Sequence, residues 1–223
     1  MRHALIFAAG RGERMRPLTD TTPKPLLQVG GKTLIERHLE KLAHAGVRRV
    51  VINTSHLAAQ FPAMLGNGKR WDLHIDYSHE GPVPLETGGG IKHALPLLGP
   101  SPFIVVSGDI VSDYDYAHLP AEPEGLAHLV MVPNPDFHPR GDFCLDGSRL
   151  NEDGIGERLT FGNIGVYRPD LVAAEAGTHF RLLPSFQRAM RDLRLGGERY
   201  DGFWRNVGTP AQLEAIARRD GNL

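Results

Sequence analysis

The residues best equipped for chemistry crowd into one stretch, AAGRGERMRPLTDTTPKPL, at positions 8–26. It holds Gly10 and Gly12, three arginines, and Lys24 between Pro23 and Pro25. Glycines directly after a strand leave backbone N–H groups uncovered, and such groups can wrap an anion. Each proline fixes its own φ and pushes its predecessor toward extended geometry, so Lys24 sits on a stiffened segment. Bare amides beside Arg14 and a held lysine suit a polyphosphate; a tight turn with a surface lysine is the plainer alternative. Two stricter phosphate motifs are excluded. The dinucleotide fingerprint needs a third glycine where this chain has Met15, and no Gly-Lys-Ser/Thr follows the loop.

Further candidates lie downstream. Asp109 ends the run FIVVSGD, and an acid at the carboxyl end of a strand faces the ligand cleft of an open parallel sheet, where a Mg²⁺ ion bridging phosphates would sit. Capping the next turn is its alternative role. Ser107 lies two residues earlier on the same strand face, within reach of a nucleotide. Gly88 and Gly89, in PLETGGGIKHAL, start a helix; their N–H groups can read base edges, or the glycines can simply loosen the helix entry. Asp142 stands in a strand-like setting, Asn163 lies in a glycine-flanked strand, and Trp204 suits either the core or the face of a sugar.

These residues need a scaffold, and the apolar pattern supplies one. Runs at 4–9, 49–54 and 102–109 read as buried strands, 72–78 and 126–133 as further strands, and 158–169 as a long bent one. Helices are expected at 33–46, 88–99, 181–192 and 209–220. Thr33 with Glu36 and Thr209 with Gln212 fit capping boxes. Strand, helix, strand at the start is a βαβ unit. The fold class is therefore α/β, with a mainly parallel central sheet, flanking helices and antiparallel additions in the second half.

Composition narrows the function. The 223 residues are 41% hydrophobic and 23% charged, with a formal net charge of -1, so a packed core is feasible and a general nucleic-acid binder is not expected. One domain over 1–223 is expected. Cys144 is the only cysteine, which excludes an intrachain disulfide and a CxxC metal site. No apolar run reaches the roughly 18 residues of a membrane span, and a soluble cytoplasmic protein is expected. No Ser-His-Asp or Cys-His pairing and no HExxH spacing stands out; His38 reads as an edge-of-core residue. Asp113 and Asp115 read as solvated loop acids.

The first stretch resembles the signature of the sugar-1-phosphate nucleotidylyltransferases: Gly-x-Gly, then an Arg, Pro-Leu-Thr, and Pro-Lys-Pro, all matched at their spacing in AAGRGERMRPLTDTTPKPL. The resemblance implies a Rossmann-like nucleotidyltransferase fold whose loop (Ala9, Gly10, Gly12, Glu13) wraps a nucleoside triphosphate while Arg14 and Lys24 hold its phosphates. Gly88, Gly89 and Ser107 would be further nucleotide contacts. It makes Asp109 a ligand of Mg²⁺. The second metal ligand of the family is the Asp of Asp-Val-Gly-Thr, and here that position is Asn206, which brings an oxygen without a charge. The Glu-Lys-Pro segment that supplies a sugar-phosphate lysine in many relatives is absent.

LETGGG and the short chain are most similar to the N-acetylmuramic acid 1-phosphate uridylyltransferases of peptidoglycan recycling. That resemblance implies Asp142, Asn163 and Trp204 at the sugar phosphate, and a reaction of UTP with N-acetyl-α-muramic acid 1-phosphate. A mannose-1-phosphate or heptose-1-phosphate guanylyltransferase is the alternative enzyme. A non-catalytic nucleotide-binding regulatory protein is the alternative of another class, favoured by Asn206. Oligomeric state is not legible.

Overall fold

A computed structural model describes residues 2–220. The apolar opening forms β1 (Arg2–Phe7). The glycine-rich stretch follows, with a short helix α1 (Leu18–Thr21), then a hairpin of β2 (Gln28–Val29) and β3 (Lys32–Thr33). Next come α2 (Leu34–His44), β4 (Val47–Thr54), α3 (Gln60–Leu65) and β5 (His74–His79). The chain continues through α4 (Glu86–Leu98), β6 (Phe103–Ser107), β7 (Ile110–Ser112) and β8 (Ala127–Val132). The second half holds β9 (Phe143–Asp146), β10 (Arg149–Asn151), β11 (Glu157–Tyr167), α5 (Asp170–Ala173) and α6 (Leu183–Arg191). β12 (Leu195–Arg199), β13 (Trp204–Asn206) and α7 (Pro210–Asp220) complete the described chain.

Nine strands make one sheet in the order β5-β4-β1-β6-β11-β8-β12-β10-β9. β5, β4, β1 and β6 are mutually parallel, and β11 runs antiparallel to β6, β8 and β9. The chain goes from β1 outward to β4 and β5, then returns through α4 to β6 on the other side of β1. The strand order therefore reverses between β1 and β6, and in open α/β sheets that reversal opens a crevice beyond the carboxyl ends of the strands. The last residues of these two strands, Phe7 and Ser107, are register partners, so the glycine loop and Asp109 emerge side by side.

Period-2 alternation explains the two layers. Ala4 and Ile6 join Ile35, Leu39, Val50 and Ile52 in one buried cluster. Leu5, Val51 and Val105 point the other way, packing with Ile91 and Ala94 of α4. The capping box at α2 forms: the Thr33 hydroxyl accepts from Glu36 N–H, and the Glu36 carboxylate accepts from Thr33 N–H at 2.8 Å. At α7 it is altered. The Thr209 hydroxyl accepts from Gln212 N–H, but the Gln212 carbonyl reaches back one residue further, to Gly208 N–H at 2.7 Å.

Two expectations are corrected here. His38 is a full core residue, 2% exposed, stacked on Tyr116 with its Nδ1 2.7 Å from the phenol oxygen. Asp113 and Asp115 are not merely solvated: Asp113 accepts a hydrogen bond from Tyr200, and Asp115 caps the next turn through Ala117 N–H. Strands β12 and β13 have no sequence signature. LGGER lacks alternation and becomes β12 because β8 offers a parallel edge to it.

Candidate active site

The crevice at the β1/β6 reversal is a cleft of about 690 Å³. Gly10 and Gly12 line it from one side, Ser107 and Asp109 from the other, and Lys24 from its floor. Ala9, Glu13 and Arg14 complete the loop wall. Gly12 is the pivot. Its φ is +64°, and a Cβ there would lie 2.9 Å from Thr19 Cγ2 and 3.2 Å from Lys24 Cβ. The loop can fold over Lys24 only because this residue has no side chain.

Lys24 Nζ donates to Asp109 Oδ2 at 2.6 Å, with 10% and 28% of the two side chains exposed. A charge-assisted contact this short, half removed from water, fixes both groups. The guanidinium of Arg14 lies against Gly208: a Cβ on that glycine would come within 3.2 Å of Arg14 Nη2. Val207 N–H donates to the Asp109 carbonyl at 2.8 Å, and Asn206 pairs with Ile110 in the β13–β7 ribbon. The C-terminal strand is thereby stitched directly to the acid-bearing turn.

A second cavity, about 320 Å³, opens beside the first and shares Phe7, Thr87 and Ser107 with it. Asp142 and Asn163 line it together with the rings of Phe143, Phe161 and Phe186. Asp142 is held at both oxygens: Oδ2 accepts from Phe161 N–H at 2.8 Å, and Oδ1 lies 3.0 Å from His138 Nε2. Asn163 sits at φ +56°, where the pairing of β11 with β8 shifts register between Phe161 and Gly165. Such a bulge re-aims a side chain, here into the cavity.

Two assignments change. Gly88 and Gly89 do lie in the first turn of α4, but their N–H groups both donate to the Phe180 carbonyl at 3.0 Å. They are spent on the orphan donors of the helix start rather than on a base edge. Their lack of side chains admits residues 178–180, since a Cβ on Gly89 would fall 2.1 Å from the Thr178 carbonyl oxygen. Trp204 is 5% exposed and packed in the core, its indole N–H donating to the Gly162 carbonyl at 2.8 Å. It does not line the second cavity.

Sequence reasoning missed Asn53 and Glu80. Both are buried at the wall of the larger cleft. Asn53 Oδ1 accepts from Ala8 N–H at 2.7 Å and its amide donates to Glu80 Oε1 at 2.6 Å; Glu80 Oε2 accepts from Leu85 N–H at 2.7 Å. This chain ties the glycine loop to the entry of α4. Its one sequence signal is a polar residue directly after the apolar run 50–52 of β4. Among the described residues no cluster of three or more His, Cys, Asp or Glu can hold a metal by itself, and no helix is long and apolar enough to cross a membrane.

A cleft with a glycine-wrapped loop, a clamped lysine and a strand-end acid has the parts that phosphate handling requires. The profile of the nucleotidyl transferase family matches residues 3–132. The chain is 47% identical over 219 residues, covering 95% of both chains, to an N-acetylmuramate alpha-1-phosphate uridylyltransferase from Neisseria meningitidis. It is 38% identical to a mannose-1-phosphate guanylyltransferase from Mycobacterium tuberculosis, over 77% of this chain and 42% of that one. This chain belongs to the nucleotidyl transferase family. Its fold is also that of a putative glucose-1-phosphate thymidylyltransferase from Bacillus anthracis, with TM-score 0.86 at 17% identity, over 100% and 96% of the two chains. In this sugar-1-phosphate nucleotidyltransferase a cleft lies at the reversal between β1 and β6, and the expected α/β fold with antiparallel additions is the observed one.

Proposed function

We propose that this nucleotidyltransferase condenses UTP with N-acetyl-α-muramic acid 1-phosphate, releasing UDP-N-acetylmuramic acid and pyrophosphate, as one catalytic domain serving peptidoglycan recycling in the cytoplasm. The observation that carries this reading is the near full-length likeness to the uridylyltransferase, joined to a pair of contiguous cavities. The guanylyltransferases are more distant, at 38% identity for the one from Mycobacterium tuberculosis and 29% for that from Aspergillus oryzae.

An oxygen of the sugar phosphate attacks the α-phosphorus of the triphosphate, one P–O bond forms, and the bond to pyrophosphate breaks. The attacking phosphate has a second pKa near ~6 and arrives largely ionised, so no general base is needed. Catalysis comes from alignment and from cations on the developing charge. In this reading the Gly10–Gly12 loop wraps the triphosphate, and Arg14 and Lys24 take its phosphate oxygens. Ser107, at the junction of the cavities, lies beside the nucleotide. Asp142 accepts from the acceptor sugar, and Asn163 lines its other side.

Asp109, which lines the cleft, and Asn206, held one residue before the Val207 N–H that bonds the Asp109 carbonyl, would offer the one or two protein oxygens of a Mg²⁺ site that fills its shell with water and substrate phosphate. The donor set is all oxygen, carries a single carboxylate, and lacks a protein-only cage. Bound there, the ion would neutralise phosphate charge. Lys24, already on Asp109, is positioned to exchange that partner for a phosphate oxygen when substrate enters.

Pyrophosphate release is to be measured with each nucleoside triphosphate against a panel of sugar 1-phosphates. Turnover with UTP and the muramic substrate is expected. A preference for GTP with mannose or heptose 1-phosphate would replace this reading. Tight nucleotide binding without turnover would make the protein a regulatory binder.

A further inference from the structure

The smaller cavity has the wrong charge for part of its proposed acceptor. N-acetylmuramic acid differs from the other N-acetylhexosamines by a lactyl ether whose carboxylate is ionised at neutral pH. The wall of the cavity is mainly aromatic and aliphatic, with Thr87, Ser107, Asn163 and the carboxylate of Asp142 as its polar members, and among the described residues no lysine, arginine or histidine lines it. A second carboxylate brought between apolar walls needs a cation.

The segment that runs past the cavity carries one, Arg181. Residues 178–183 run between the two cavities: His179 lines the larger, Leu182 and Leu183 line the smaller, and Arg181 stands between them. The backbone of this segment is pinned to α4. Phe180 N–H donates to the Leu85 carbonyl at 3.2 Å, the Phe180 carbonyl accepts from Gly88 and Gly89, and Leu182 N–H donates to the Thr87 hydroxyl at 3.0 Å. The side chain, by contrast, is 79% exposed, and its ion-pair partner Glu86 is 3.8 Å away, beyond a hydrogen bond. Glu86 lines the larger cleft, and Thr87, which lines both cavities, accepts from Leu182 N–H, so the backbone of Arg181 sits beside the junction while its side chain stands in solvent. Two other arginines on this flank are engaged: Arg188 with Glu175, and Arg158 with Asp153 and with the carbonyls of Arg140, Asp142 and Glu152.

We propose that Arg181 is the specificity-determining residue for the acceptor, its guanidinium forking onto the lactyl carboxylate of the muramic acid. A planar fork on a fixed backbone matches a carboxylate bidentately, and trading the loose contact with Glu86 for that contact costs little. This inference rests on the muramic reading above.

The test compares wild type, Arg181→Ala and Arg181→Lys with UTP and two acceptors, N-acetylmuramic acid 1-phosphate and N-acetylglucosamine 1-phosphate, the latter as substrate or, where turnover is slow, as competitive inhibitor. Arg181→Ala should raise KM for the muramic acceptor about tenfold to a hundredfold, the worth of a charge-assisted pair. KM for UTP and the constant for the glucosamine acceptor should stay within twofold. Arg181→Lys should recover part of the loss. An equal loss with both acceptors would assign Arg181 to the shared 1-phosphate and overturn the proposal, as would no loss with either. Wild-type protein that fails to turn over the muramic acceptor at all would instead remove the functional reading on which the inference stands.

Discussion

The two glycines of the first loop look alike in sequence but should behave oppositely when each gains one methyl group. In Gly12→Ala the new Cβ sits at φ +64°, which costs an L-residue about 1–2 kcal/mol. It also meets Thr19 Cγ2 at 2.9 Å and Lys24 Cβ at 3.2 Å, and overpacking of this kind adds about 1–3 kcal/mol. The sum is at least about 2 kcal/mol, which for a chain of this size lowers Tm by at least ~4 °C. Relief comes by pushing Lys24 outward, and a misplacement near 1 Å at a positioning group costs roughly a hundredfold in kcat. Gly10→Ala meets no atom within 4 Å and requires no positive φ. It should leave Tm unchanged or slightly raised, yet its methyl group projects where the loop faces the cleft and should raise KM for the triphosphate. Thermal unfolding and steady-state kinetics on both variants decide the matter. Gly12→Ala with unchanged Tm and kcat would refute the account of the loop as a cradle folded over Lys24.

Lys24→Ala should fold and still lower kcat by about two to three orders of magnitude, the worth of a positioned cation on transition-state charge; near-normal turnover refutes its role. Asn206→Asp adds a second carboxylate beside Asp109 and should lower the Mg²⁺ concentration giving half-maximal rate; a rise in that concentration, or weaker turnover, refutes Asn206 as a metal ligand. Trp204→Phe removes the hydrogen bond to Gly162 and leaves a buried carbonyl unpaired, so denaturant midpoints should fall by an equivalent of about 1–3 kcal/mol while KM for the sugar phosphate is unchanged. Burial, with Lys41 nearby, lowers the His38 pKa from 6.5 to about 4. Because the folded value is the lower one, the unfolded chain takes up the proton first. Stability from this site is complete above pH 6.5 and drains away as pH falls toward 4, by about 3 kcal/mol. His38→Phe should flatten that slope in pH-dependent denaturant melts; an unaltered slope refutes it.

Local signals in the chain determined much of this protein. The buried strands announced themselves by unbroken branched runs, and α2 by its capping box. The loop proposed to hold phosphates announced itself by residue type, because a polyphosphate is suited by bare amides and fixed cations. Residues expected at the nucleotide and its metal (Gly10, Gly12, Arg14, Lys24, Asp109) and two of those expected at the acceptor (Asp142, Asn163) line two separate but touching cavities. What tertiary structure alone decided is which side chains face those cavities. Trp204 and the Gly88–Gly89 pair are chemically suited to a ligand but are consumed by packing: the indole by a carbonyl of β11, the glycines by a crossing segment more than eighty residues further along the chain. Asn53, Glu80 and Arg181 carry no local motif, since each matters through a partner distant in sequence. β12 exists only because β8 presents an unpaired edge. Periodicity and residue chemistry are written in neighbours along the chain, whereas burial, edge pairing and the meeting of two cavities arise only when remote segments close on one another.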